Sequence, residues 1–230
     1  MRKELLIFGA NGALGQGVTK VLSQKDFDKI YTFNFHIVEG AIPVNNLVNV
    51  QIKDLTKEEN VIEAFSNIKP NKDTCFFLFS TIGGYWGGES IWETKSEDWN
   101  RIIGLNLNAN FFLAKHFSWL VKASAGGSIC ITAAFTADNP EAMKGAYGAS
   151  KSALVHLVRT LSLEGQKINL SANAISPYII DTPANRDWMK DADYNKWIKP
   201  EEVGEVAFSL FANFNYVSGN IITMRERFRV

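Results

Sequence analysis

Seven short apolar runs punctuate the chain: ELLIF at 4–8, IYTFNF at 30–35, LVNVQI at 47–52, CFFLFS at 75–80, SICIT at 128–132, SANAIS at 171–176 and NIITM at 220–224. Several are almost continuously apolar, the pattern of strands covered on both faces. Between them lie stretches of helical period at 14–25, 56–68, 96–122, 147–164 and 200–213. In the fourth, Ala149, Ala153, Leu154, Leu157, Val158 and Leu161 form one stripe. Thr56 with Glu59 three residues on predicts a capping box at the start of the second. This alternation predicts an α/β fold, one domain over residues 1–230, with a doubly wound parallel sheet of about seven strands and helices on both faces. Residues 180–200, IDTPANRDWMKDADYNKWIKP, form the longest irregular stretch. Loops that long in compact domains tend to be functional, which makes this one a candidate substrate lid.

Composition changes this picture little. Of 230 residues, 46% are hydrophobic and 21% charged, enough for a large core, and the formal net charge is zero. A neutral chain gives no electrostatic reason to expect nucleic acid or an anionic membrane as a partner. The tail RERFRV reads as a solvated end or an edge strand rather than a binding patch. Cys75 and Cys130 lie inside apolar runs and read as buried free thiols of a reducing compartment. His36, His116 and His156 are scattered, so no metal site is expected. MRKELLIF reaches glycine too soon for a signal peptide, and no run approaches the ~20 apolar residues of a membrane span. A cytoplasmic protein is the expectation.

LLIFGANGALGQG is a strand that runs into glycines and then a helix, the setting of a phosphate-binding turn. Gly9 makes the tight turn. Asn11, Ala13, Leu14 and Gly15 follow it, with Ala13 and Gly15 keeping backbone close to a pyrophosphate at the helix start. About twenty residues on stands Asn34, where a ribose-reading carboxylate would select NAD. Asparagine can bond a ribose hydroxyl without repelling a 2′-phosphate, so NADH and NADPH both stay open. Tyr147 and Lys151, four apart on a helix, face one site.

In order along the chain, GANGALG, KDLT, WNRIIGLNL, YGASK and NAISPYIIDTP resemble the short-chain dehydrogenase/reductase family over nearly its whole length. That resemblance implies an NAD(P)H-dependent oxidoreductase of a small molecule. It implies Asp54 facing the adenine, Asn106 helping to hold a proton-relay water, and Ile180 and Thr182 contacting the nicotinamide carboxamide. It also implies Tyr147 as proton donor, and Lys151 as cofactor anchor and as the charge that lowers the tyrosine pKa. Family members pair through helices corresponding to 106–122 and 147–164, which implies a homodimer or homotetramer. GGYWGG at 83–88, IDTPANR at 180–186 and Ala134, where most of the family has serine, are similar to the dihydropteridine reductases within it. Asn34 and Asn106 depart from that narrower pattern.

Loss of the serine hydroxyl typically costs ~10²–10³ in rate where an oxyanion develops. A quinonoid dihydropterin, with ring nitrogens to take the proton, needs no such donor. Tyr85, Trp86 and Trp188 are candidates to sandwich a flat ring beside Ala134. Thr132 and Thr136 are nearby hydroxyls, neither expected to replace the serine. Two other functions stay open: a carbonyl or alcohol oxidoreductase with an altered site, and a non-catalytic NAD(P)-binding regulator.

Overall fold

The computed structural model describes residues 1–36 and 46–228. The seven apolar runs become seven strands: β1 Arg2–Phe8, β2 Lys29–Asn34, β3 Leu47–Gln51, β4 Thr74–Ser80, β5 Gly126–Thr132, β6 Leu170–Pro177 and β7 Ile221–Met224. Every neighbouring pair is parallel, in the order β3-β2-β1-β4-β5-β6-β7. Alternate side chains enter two separate cores. Leu6, Phe8, Phe33, Phe76, Leu78, Ile129 and Ile131 pack on one face against α2 (Glu58–Phe65), α4 (Ala109–Lys122) and α5 (Gly145–Gly165). Leu5, Ile7, Ile30, Phe77, Phe79, Cys130 and Ile175 pack on the other against α1 (Ala13–Leu22) and α7 (Pro200–Ala212). Both cysteines are buried free thiols, as expected.

Three local expectations need correction. The 96–122 stretch is not one regular helix. α3 (Ser96–Ile103) passes through a π-helical turn at Gly104–Asn108 before α4 begins. Thr56 is not part of a capping box, because Asp54 captures it first. The Asp54 carboxylate accepts from the Thr56 N–H at 3.0 Å and its hydroxyl at 2.7 Å, and α2 starts only at Glu58. The 180–200 stretch has structure of its own. Ile180 and Ile198 form a parallel bridge at its base, and a short helix, α6 (Pro183–Trp188), occupies its first half.

The crossover after β1 runs toward β2 and the one after β4 toward β5, so the chain diverges between β1 and β4. Crevices at such a divergence, at the carboxyl ends of parallel strands, are where α/β sheets bind ligands. Gly9, Thr81, Ala133 and Tyr178 all follow strands at that edge.

Candidate active site

The turn after β1 is shaped by contacts only glycine permits. Gly9 has φ +80°, and a Cβ there would lie 2.3 Å from the Thr81 hydroxyl. A Cβ on Gly15 would lie 2.0 Å from the Gly9 carbonyl oxygen, so the helix start and the turn touch backbone to backbone. The first intrahelical bond of this region runs from the Gln16 N–H to the Gly12 carbonyl at 2.8 Å. It leaves the N–H groups of Ala13, Leu14 and Gly15 ahead of it as the free donors of a helix N-terminus. No side chain caps that end and no acidic residue stands in its first turn. It is a cradle open to phosphate, which fits a dinucleotide.

Asn34 is committed to that turn. Its Oδ1 accepts from the Asn11 N–H at 2.7 Å, and the Asn11 side chain donates to the His36 carbonyl at 2.8 Å. Asn34 is only 4% exposed. A carboxylate that both holds this N–H and bonds a ribose would carry a full charge here; asparagine keeps the staple without it. Asp54 lies exposed beyond β3, bonded to Thr56, which holds its carboxyl below the ordinary aspartate range.

Tyr147 and Lys151 both come from α5. Lys151 is buried, and its ammonium donates to the Thr132 carbonyl at 2.9 Å. Burial pushes its pKa down to about 8. Lys151 Nζ stands 5.9 Å from the Tyr147 ring centroid. Tyr147 does not have the lowered pKa that the lysine was expected to give. Burial, with Tyr85 and Glu141 adding to it, pushes the phenol up to about 12. At this separation, and with its hydrogen bond turned toward Thr132, the ammonium does not offset the loss of water around the phenol.

Asn106 sits in the π-helical turn and is fully buried. Its side chain grips the backbone of Gly84 from both sides, accepting from the N–H at 2.7 Å and donating to the carbonyl at 3.0 Å. It also donates to the Ser150 hydroxyl at 2.9 Å, which in turn donates to the Tyr147 carbonyl at 2.7 Å. A Cβ on Gly83 would meet Asn106 Oδ1 at 2.7 Å and Lys151 Nζ at 3.2 Å, so the glycine-rich loop lies directly on the lysine. A further buried chain runs from Thr132 to the Ser80 carbonyl and from the Ser80 hydroxyl to Asn110. Asn110 donates to the Ile82 and Asn106 carbonyls. Ser150 and Asn110 escaped the sequence reading. Their signal was their spacing, three residues from Tyr147 and four from Asn106.

Tyr85 packs edge-on against Tyr147, with ring centroids 5.1 Å apart, and Trp188 of α6 lies 5.9 Å beyond it. Trp86, adjacent in sequence, joins none of the described ring pairs. Ala134 is buried in extended backbone immediately after β5. The Thr132 hydroxyl is spent on Ser80, whereas the Thr136 hydroxyl is buried with no partner. Ile180 offers its carbonyl to the Asn185 side chain at 2.8 Å, and the Thr182 oxygen accepts from the Asn185 N–H at 3.3 Å. Among the described residues no group of three or more His, Cys, Asp or Glu side chains is placed to hold a metal, and no helix is long and apolar enough to cross a membrane.

Residues 41–225 match the family model described as enoyl-(acyl carrier protein) reductase. A dihydropteridine reductase from Dictyostelium discoideum is 29% identical across all of this chain and 97% of its own. Carbonyl reductase family member 4 from Xenopus laevis is 26% identical over 97% of both chains. A short-chain dehydrogenase/reductase structure from Mycobacterium ulcerans superposes with a TM-score of 0.85 at 21% identity, covering 96% of this chain and 88% of that one.

Proposed function

The chain belongs to the short-chain dehydrogenase/reductase family and is an NAD(P)-dependent oxidoreductase, and from that premise we propose that it reduces a quinonoid dihydropterin or a similar activated flat ring. The observation that carries this reading is Ala134, a buried methyl group just after β5 where a hydroxyl would serve a carbonyl oxygen. When bound, the reduced nicotinamide supplies a hydride.

The chain's own residues do the rest. The amides of Ala13, Leu14 and Gly15 would hold the pyrophosphate, Asn34 would meet the adenosine ribose and Asp54 the adenine. Lys151 would bond the nicotinamide ribose, and Ile180 and Thr182 would engage the carboxamide. Tyr85 and Trp188 cover one side of the ring with aromatic surface and exclude water. The Tyr147 hydroxyl donates its proton to a ring nitrogen, and Lys151, charged below about pH 8, is the cation on the same helix, 5.9 Å from the centroid of the phenol ring. Asn106 and Ser150 hold the glycine-rich loop and the catalytic helix in register. Residues 180–200 act as the lid. A second reading, carbonyl reduction, is favoured by Thr136, whose unpartnered hydroxyl stands two residues past Ala134. Exposed Phe111 and Trp119 on α4 and Leu163 on α5 support association of these helices with a second copy.

The test is oxidation of NADH and NADPH, separately, with quinonoid dihydropterin as acceptor, in the wild type and Tyr147→Phe. Turnover in the wild type that falls ~10²–10⁴-fold in the variant, with cofactor affinity kept, is the expected result. Turnover only with aldehydes or ketones, abolished in Thr136→Val, would establish the carbonyl reading instead.

A further inference from the structure

The tail after β7 is not a free solvated end over its described residues. The Tyr178 N–H donates to the Met224 carbonyl at 2.9 Å, fixing the point where β7 stops beside the exit of β6. From there Arg225 lays its guanidinium 4.9 Å from the centroid of Phe135, the residue after Ala134. Phe135 packs edge-on against Tyr178 at 5.1 Å. Two residues on, the Arg227 N–H donates to the Lys196 carbonyl at 3.1 Å, on the returning arm of the 180–200 stretch. The Arg227 side chain forms an ion pair with Glu202 in the first turn of α7, and Lys196 faces Glu226 at 3.9 Å. The other oxygen of Glu202 accepts from the Lys199 N–H at 2.7 Å, at the foot of that stretch.

We propose that residues 225–227 form a strap that positions the lid, with Arg227 and Glu202 as its fastening. The proposal rests on reading residues 180–200 as the lid. The stretch is already closed at its base, where Asp181 N–H donates to the Ile198 carbonyl at 2.8 Å and Ile198 N–H to the Ile179 carbonyl at 3.0 Å. Within it, Asp181 grips Arg186 through two hydrogen bonds of 2.5 and 2.7 Å, and Arg186 stacks on Tyr194. These internal contacts make residues 180–198 a unit that can tilt as a body about its base. Buried Trp197 and Ile198 anchor the base of the unit, and the strap adds a tie on its returning arm: to α7 through Glu202, and to the residues beside Ala134 through Phe135. Trp188, carried on the same unit, is thereby set at its distance from Tyr85 and Tyr147. The strap contributes no group to the chemistry, so its effect is on acceptor capture.

The test uses the full chain, Arg227→Ala, Arg227→Lys and a chain ending at Met224, each with NADPH bound. Trypsin cleavage after Arg186, Lys190 or Lys196 reads lid opening. Arg227→Ala is expected to speed cleavage roughly five-fold, the equivalent of ~1 kcal/mol for an exposed ion pair, with a similar rise in acceptor KM and little change in kcat or melting temperature. Arg227→Lys keeps the charge and is expected to stay within about two-fold of wild type, whereas the shortened chain opens further than Arg227→Ala. Salt at ~1 M, where the screening length falls to ~3 Å, weakens the exposed ion pair and brings the wild type toward the alanine variant. Unchanged cleavage in both Arg227→Ala and the shortened chain would overturn the strap. If cleavage responds but no pterin is reduced by any form, the strap stands and the substrate reading alone fails.

Discussion

Asn34 shows how much one atom pair decides. Its carbonyl oxygen belongs to the Asn11 N–H, a bond that either oxygen of an aspartate could also accept. Asn34→Asp therefore keeps the staple and, with the cofactor placed as proposed, adds a charge beside the ribose 2′ position. It is expected to raise the NADH over NADPH preference in kcat/KM by at least ten-fold, through repulsion of the 2′-phosphate. A preference that does not move would place the selecting group outside this pair. Lys151 gives the second prediction at this scale. Its pKa is lowered by burial to about 8, so it is charged below that pH and loses its charge as pH rises through it. Tyr147 stays protonated to about 12. The reductive kcat/KM should thus be flat in the neutral range and fall above about pH 8, with the limb moving upward in Lys151→Arg. An unmoved limb in that variant would assign it to another group.

At the scale of elements, the site is assembled by contacts between helices and loops distant in sequence. α1 meets the start of α7 so closely that a Cβ on Gly17 would fall 2.3 Å from Pro200 Cβ. Pro200 is the residue where the 180–200 stretch rejoins regular structure, so this glycine helps set one foot of that stretch. Gly17→Val is expected to cost about 1–3 kcal/mol, the usual range for overpacking, read as a lower urea midpoint with an unchanged slope. Were stability unaffected, α1 and α7 would have to yield more freely than this close contact implies. The π-helical turn at Gly104–Asn108 is another element-scale feature. It places Asn106 in reach of both Gly84 and Ser150, joining the loop that bears Tyr85 to the helix that bears Tyr147. The extra residue in that turn left no mark on the hydrophobic period, which ran through 96–122 as though the helix were regular.

For the whole molecule, the parallel sheet with a core on each face is what holds the strand ends in place. Phe8 is fully buried and stacks on Phe33, with ring centroids 4.1 Å apart, one residue before the turn at Gly9. Phe8→Ala is expected to lose ~3–5 kcal/mol, measured by denaturant unfolding, and to weaken cofactor binding along with it. A loss below ~1 kcal/mol would mean the core around β1 collapses to fill the space.

The sequence by itself determined the strands, the helices on both faces, the glycine turn and the Tyr147–Lys151 pair. Each of these depends on local pattern: short continuous apolar runs covered on both faces, period 3.6, and backbone positions that tolerate no Cβ. It determined the missing hydroxyl at Ala134 as well, since an absent side chain needs no geometry to be recognised. Only the tertiary structure decided the direction of the Tyr147 pKa, because that depends on how much water the surrounding chain removes and on which groups, Tyr85 and Glu141, stand near the phenol. Only it decided that Asn34 serves Asn11, that Asp54 rather than the helix takes Thr56, and that Arg227 finds Glu202. These are pairings between groups whose side chains each have several possible partners. Which partner wins is settled by the packing of the two cores, and no periodicity along the chain records that.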